Sequence, residues 1–355
     1  MKYIVFITLL LFFSCTTNNP KPNIEPEPKT EYISAVDLSS LPEIESKNIT
    51  FYNNDNNSES AISILKNNGV NTVRLRVWNN PENKHSSFEE VKSFSNQLHN
   101  SGLKVWLTVH YSDTWADPGN QNPSKNWQNI TFSVLKDSVY HYTRRIMTEI
   151  KPDVIQIGNE INSGLLLPYG DINTNKNQFL EILDIGTQAV RDISADTKIM
   201  IHFAGIENAD WFFHQVKTVD YDYIGLSYYP IWHSKNLNNV KATLSQLSKK
   251  YQKEILIAET AYPFTLDWND WTNNIVGLEE QILPQYQASP QGQKEFILKI
   301  KELIMATEKG IGFCYWGGEL VAFNGNEAKN GSPWENQALF DFDNKILPVV
   351  SAFKF

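Results

Sequence analysis

Cysteine is scarce in this chain: two residues in 355, Cys15 and Cys314. That excludes a disulfide framework, and a chain of this length needs none because it can bury a large core. Cys314 lies in Gly312-Phe313-Cys314-Tyr315-Trp316, a strand pattern, and reads as a small buried apolar residue. Positive charge is also short. Lys and Arg number 31 against 40 Asp and Glu, a net charge of −9. The basic footprint that nucleic acid or an anionic polymer requires is therefore missing, and no nucleic-acid partner is expected. A neutral polymer remains compatible. No Gly-x-Gly-x-x-Gly follows the first strand pattern, which argues against a nucleotide-binding, open doubly wound sheet. The apolar run at residues 3–13 is too short to span a bilayer.

That run follows Met1-Lys2 and describes a signal peptide. Its end, Leu11-Phe12-Phe13-Ser14-Cys15, resembles a bacterial lipobox. The resemblance implies a lipoprotein signal peptide over residues 1–14, cleavage before Cys15, and lipid on the sulfur and new amino group of Cys15. An exported, membrane-anchored protein, periplasmic or at the cell surface, is the expectation. Residues 15–31 hold Pro20, Pro22, Pro26 and Pro28 among Asn, Lys and Glu, a polar extended tether. Residues 32–355 are expected to form the folded domain.

Within that domain strand and helix patterns alternate. Apolar strand patterns fall at 33–38, 72–78, 103–110, 154–160, 198–203, 223–229, 255–259 and 311–316. Helical spacing occupies 58–67, 88–98, 134–150, 179–193, 211–216, 240–251 and 293–309. Eight strands with helices between them predict an α/β fold, a (β/α)8 TIM barrel.

Two of these strands end in carboxylates: Val154-Ile155-Gln156-Ile157-Gly158-Asn159-Glu160 and Glu254-Ile255-Leu256-Ile257-Ala258-Glu259-Thr260. Polar groups at the C-terminal ends of barrel strands face the active-site mouth. Two glutamates placed there make a pair that hydrolyses a glycosidic bond, with retention when they stand roughly 5–5.5 Å apart. A lone glutamate at a strand end is ordinarily a solvated charge; the pairing is what changes the reading. Aromatics make up 12% of the chain, which suits stacking on sugar rings, although many must pack the core. His110 with Asp113 and Asp117 has no defined metal spacing, so sugar hydrogen bonding is expected of it. Tyr228 and Tyr229 alternate faces, and Tyr228 is expected to be the one inside.

At these residues a resemblance becomes specific. Gly158-Asn159-Glu160 with Glu259 on the seventh strand resembles the clan A glycoside hydrolases. Further motifs are similar to one family in that clan, glycoside hydrolase family 53, the endo-β-1,4-galactanases. They are Val73-Arg74-Leu75-Arg76-Val77-Trp78, then His110-Tyr111-Ser112-Asp113-Thr114-Trp115-Ala116-Asp117-Pro118-Gly119. Ser227-Tyr228-Tyr229-Pro230, Ala258-Glu259-Thr260-Ala261-Tyr262-Pro263 and Trp334-Glu335-Asn336-Gln337 complete them. The resemblance covers almost everything from Asp37 onward. It implies Glu160 as acid/base and Glu259 as nucleophile. It also implies Arg74, His110, Asn159 and a tyrosine of the sixth strand around the central sugar. Trp316 would be the sugar platform, then Trp115, with His233 a loop contact. Arg74 would keep the nucleophile ionised, and Glu160 would need a raised pKa.

Departures from the family pattern are Trp316-Gly317-Gly318-Glu319, where a Trp-Glu-Pro type sequence is expected, and the segment 264–274. The latter differs from the version that holds calcium in some members, so no metal and no cofactor is assigned. The expectation is a monomeric, lipid-anchored retaining endo-galactanase acting on β-1,4-galactan side chains of pectin, touching the membrane through its anchor alone. The alternatives are a mannanase- or xylanase-like clan A enzyme and a non-catalytic surface glycan-binding lipoprotein.

Overall fold

The computed structural model describes residues 1–3 and 31–355. Residues 4–30, which hold Cys15 and nearly all of the expected signal peptide and tether, lie outside the described residues. Tyr32–Phe355 forms one compact unit. Among the described residues no helix is long and apolar enough to cross a membrane.

Eight parallel strands close a barrel. They are β1 (Ile33–Asp37), β2 (Thr72–Val77), β3 (Lys104–Val109), β4 (Val154–Ile157), β5 (Lys198–Ala204), β6 (Tyr223–Ser227), β7 (Glu254–Thr260) and β8 (Gly310–Tyr315). Closure comes from β1 pairing with β8, Ile33 opposite Gly312 and Val36 opposite Tyr315. Helices α1 (Leu41–Ser46), α2 (Ala61–Asn67), α3 (Phe88–Asn100) and α4 (Phe132–Glu149) lie in the first half. Helices α5 (Lys176–Arg191), α6 (Ala209–Gln215), α7 (Leu237–Tyr251) and α8 (Pro290–Met305) lie in the second.

Local chemistry explains the elements. The strands are runs of Val, Ile and Leu buried on both faces, as parallel strands covered by helices must be; all six residues of β2 are buried, two of them arginines. Four helix starts carry a hydroxyl cap. The side chains of Ser60, Ser87, Thr131 and Ser289 accept the N–H of Ser63, Glu90, Val134 and Gly292, satisfying one of the donors that a helix start leaves open. The core has two layers. Leu98, Ile146, Phe179, Phe212 and Phe296 fill the space between sheet and helices. Ala35, Trp106, Met200, Leu256, Ala258 and Cys314 fill the lumen, so the barrel is packed and not a pore.

Two backbone irregularities position side chains at the mouth. Leu256 and Ala258 point into the lumen, so strict alternation would send Glu259 outward. Between β6 and β7 the register slips, with Leu226 opposite Ile257 but Ser227 opposite Glu259. The extra β7 residue makes a bulge, and a bulge re-aims the side chain beside it; Glu259 turns inward. After β4, Gly158 has φ +77° and Glu160 φ +47°. A Cβ at residue 158 would meet Ile161 Cγ2 at 2.5 Å, so glycine is required there. The left-handed Glu160 costs on the order of 1–3 kcal/mol. This turn ends β4 at Ile157, three residues before Glu160. Helix α1 and a short antiparallel pair, Gly164–Leu165 with Gly170–Asp171, were not read from the sequence.

Candidate active site

A cavity of about 500 Å³ opens at the C-terminal end of the barrel, and both glutamates line it. Their environments differ. Glu259, from the bulge of β7, has both oxygens occupied. Arg74 Nη2 donates to Oε1 at 2.7 Å and the Tyr229 hydroxyl donates to Oε2 at 3.1 Å. Arg74 is itself buried, 2% exposed, and its other nitrogen donates to Asp37 Oδ2 at 2.7 Å. Nη2 also reaches Asn159 Oδ1 at 2.8 Å. Burial, with the Asp37 charge adding to it, holds the Glu259 carboxyl above its usual value, and Arg74 and Tyr229 limit that rise. Opposite charge and hydrogen bonds to the ionised form both favour the carboxylate.

Glu160, on the left-handed turn after β4, has one oxygen engaged, with Ser227 Oγ donating to Oε1. Oε2 is left to the cavity. Its pKa is pushed up to about 8, first by burial and then by the nearby Glu259 charge, with Ser227 and Arg74 acting the other way. A carboxylate oxygen of Glu160 and one of Glu259 lie within 4.8 Å of each other. Two carboxyls so close cannot both ionise freely, and the one with a guanidinium partner ionises first.

The remaining predicted residues take these places. Asn159 is buried, with its amide nitrogen on the Ala116 carbonyl at 2.8 Å. His110 ends β3. Its Nδ1 accepts the Trp78 indole N–H (3.2 Å) and the Ala116 N–H (3.1 Å), so that nitrogen is closed to a metal. Burial, then Arg74 and Arg76, hold its ring well below the usual pKa and neutral. Asp113 accepts the N–H groups of Asn80 and Lys125 and fastens the loop. Trp115 lies 4.2 Å over the Arg76 guanidinium and 6.1 Å from Trp316. Trp316 meets Trp334 at 4.6 Å, which meets Tyr229 at 5.7 Å. His233 accepts the Tyr229 N–H on Nδ1 at 3.0 Å, which leaves its proton on Nε2; burial lowers its pKa to about 4.

One expectation is corrected. Tyr228 is not in the site. Its hydroxyl donates to the Ser234 carbonyl at 2.9 Å, and its ring packs beside Phe296 of α8. Ser227 faces inward to meet Glu160, so alternation sends Tyr228 out and Tyr229 in. The sequence placed the alternation correctly and chose the wrong phase. Asp37, Tyr229, Ser227, His202 and Trp334 were not picked out. Asp37 and Ser227 occupy the same strand-end position as the glutamates, which is the signal that reveals them.

Two places bear on metals. Glu160, His202 and Glu259 bring ligand atoms within 4.8 Å of one another, but Arg74 already neutralises Glu259, and both His202 nitrogens have partners. In the loop after β7 and the tail against it, Asp270 Oδ2, Asn274 Oδ1, Glu335 Oε2 and Asn336 Oδ1 are buried without hydrogen-bond partners among the described residues. Carboxylate and amide oxygens are calcium's ligands, so these residues fit that ion chemically, although none was assigned from sequence. There it would tie loop to tail, away from the glutamates' chemistry.

Comparison with known proteins agrees with this geometry. An arabinogalactan endo-beta-1,4-galactanase of Cellvibrio japonicus is 35% identical over 347 residues, 92% of this chain and 91% of that protein. The solved GH53 catalytic domain from Ignisphaera aggregans superposes with a TM-score of 0.86 at 34% identity, covering 95% of this chain and 98% of that one. A fungal beta-1,4-galactanase structure gives 0.80 at 26% identity, covering 90% and 98%. The profile described as Glycosyl hydrolase family 53 matches residues 33–353, nearly the whole barrel with its carboxylate pair, and the chain belongs to that family.

Proposed function

We propose that this protein is an endo-acting, retaining β-1,4-galactanase that cuts the galactan or arabinogalactan side chains of pectin. One observation carries the mechanism. Two carboxyls face one cavity with oxygens within 4.8 Å, one held ionised by Arg74 and the other pushed toward its protonated form. That closeness fits the shorter separation of retaining enzymes, about 5–5.5 Å, better than the about 6.5–9.5 Å at which inverting enzymes place a water beside the sugar.

Glu160 gives its proton to the glycosidic oxygen as the bond from that oxygen to the anomeric carbon breaks. A Glu259 oxygen attacks the same carbon, and its negative charge becomes the galactosyl ester. Water then attacks the anomeric carbon, Glu160 takes the water's proton, and Glu259 leaves as carboxylate. Arg74 holds that carboxylate at the start and end of the cycle, and Tyr229 bonds its second oxygen. His233 presents an N–H donor to sugar hydroxyls. Trp115, Trp316, Trp334 and Trp232 extend an aromatic wall along the open mouth, which fits binding along a polymer.

Release of reducing ends from galactan, mannan and xylan tests the substrate. Galactan is expected to be cleaved at least a hundredfold faster, and a preference for mannan or xylan overturns the proposal. Membrane attachment through lipid on Cys15 is proposed on the sequence Leu11-Phe12-Phe13-Ser14-Cys15. Labelling with a clickable fatty acid is expected to mark the protein and to fail in Cys15→Ala; label that survives the substitution rules the anchor out.

A further inference from the structure

Behind Glu160 the inward-facing polar residues of β3 to β6 form one run of hydrogen bonds, whose direction follows from the donors at its far end. Trp106 Nε1 and Thr108 Oγ1 both donate to Gln156 Oε1, at 3.3 and 3.2 Å. An indole N–H only donates, so the amide orientation of Gln156 is settled, and its nitrogen faces His202 Nδ1 at 2.9 Å. Asn159 Oδ1 is also 3.3 Å from that ring nitrogen. It already accepts from Arg74 and Gln156. The two hydrogens of Gln156 Nε2 face three acceptors, the Gly158 carbonyl and Asn159 Oδ1 at 3.0 Å each and His202 Nδ1 at 2.9 Å, and a proton on Nδ1 would set two donors against each other across the shortest of the three contacts. Nδ1 is therefore the acceptor. Burial first, then Arg74, His110 and His233, keep the ring neutral. A neutral ring with Nδ1 accepting has its proton on Nε2, which donates to Ser227 Oγ at 2.9 Å. The Ser227 hydroxyl has one proton to give, and Glu160 Oε1 receives it. Gln156, His202 and Ser227 are each 0% exposed, so water cannot reverse the order.

We propose that Ser227, oriented through Gln156 and His202, is a positioning residue that decides which oxygen of Glu160 carries the acid proton. Oε1 always accepts from Ser227, so the proton is confined to Oε2, the oxygen left to the cavity and the glycosidic bond. When that proton has gone, the same hydroxyl stabilises the carboxylate that must next act as base. The other groups facing Glu160 are Glu259, Arg74, Asp117 and Tyr229, and none of them donates to Oε1. The inference rests on Glu160 being the acid/base.

The test compares Ser227→Ala and Ser227→Thr on galactan across pH 5 to 10. Loss of a hydrogen bond to the charged form raises the pKa of Glu160. Ser227→Ala is expected to move the basic limb of kcat/KM up by about one pH unit and to lower kcat about tenfold with KM little changed. Ser227→Thr is expected to restore the wild-type limb. A folded Ser227→Ala enzyme with an unmoved limb overturns the proposal. Nitrogen-15 NMR of the wild-type histidines reads the relay without any variant. His202 is expected neutral with its proton on Nε2 throughout, and a proton on Nδ1 overturns the proposal. Glu160→Ala separates the two readings. Loss on galactan with cleavage of an activated aryl galactoside retained upholds Glu160 as the acid, whatever Ser227 does. Full activity on galactan defeats the acid/base assignment itself.

Discussion

Replacing Arg74 by methionine removes the cation on which the nucleophile depends while keeping much of the side chain's volume. The guanidinium sits between Asp37 and Glu259 at 2.7 Å from each, and is 2% exposed. Removing one partner of a buried ion pair leaves an uncompensated charge, at a cost of about 3–5 kcal/mol. The protein escapes that cost by protonating Glu259. At roughly 1.4 kcal/mol per pK unit, the lower figure predicts a rise of about two units. Activity needs Glu259 ionised and Glu160 protonated. The acidic limb of kcat/KM therefore moves up by about two pH units, so that on the acid side of the limb kcat/KM falls about a hundredfold, and progressively less above it. The assay is a pH profile on galactan. A fall of less than tenfold with an unshifted acidic limb would refute the reasoning, because Arg74 would then not be what holds Glu259 charged.

Three further outcomes follow from the same geometry. The wild-type basic limb is expected near pH 8, where Glu160 titrates, and Glu160→Gln is expected to lose about 10²–10⁴-fold on galactan and far less on an activated aryl galactoside; equal losses on both would contradict its role as acid. Tyr229→Phe removes a donor to Glu259, so kcat should drop about tenfold, whereas Tyr228→Phe should leave kinetics unchanged and only loosen packing against α8; the reverse pattern would contradict the placement of the two rings. Glu319 is 1% exposed, has one oxygen on the Ser40 N–H at 2.7 Å and the other without a partner, and its carboxyl is pushed from 4.5 up to about 8 by burial and then by Asp37. The raised folded pKa means that the folded state binds the extra proton between these values, so stability declines as pH rises through that window, by up to about 1.4 kcal/mol per unit; Glu319→Gln should flatten that part of a denaturant-unfolding series, and an unchanged slope would mean that Glu319 is ionised in the fold.

The barrel was legible because each of its strands is an apolar run interrupted by helical spacing, and a parallel sheet buried on both faces writes itself that way. The two glutamates were legible because strand ends in such a barrel are where chemistry sits. Their aim was not. Glu259 reaches the cavity only through the extra residue at Ala258, and a period-2 reading from Leu256 would point it outward. Tyr228 and Tyr229 show the same limit, since alternation says that one is inside but the phase is set by the inward contact of Ser227 with Glu160. Arg76 shares its face with Arg74, yet among the described residues it has no carboxylate partner in an ion pair. It lies against Trp78 and Trp115, an arrangement that depends on where the loop after β3 folds back. Helix α1 is six residues with Pro42 in its first turn, too short for periodicity to register. The buried state of Glu319 follows from the turn after β8 packing beneath Ser40, a contact across 279 positions that no local pattern encodes.

The account stands most directly on the stereochemistry of the first product. Proton NMR during early galactan hydrolysis distinguishes the anomers before they equilibrate. Two carboxyl oxygens within 4.8 Å predict the β-anomer first, formed through the ester on Glu259. Initial release of the α-anomer would mean single displacement by water, which takes place between carboxyls that stand farther apart, about 6.5–9.5 Å, and would contradict the account.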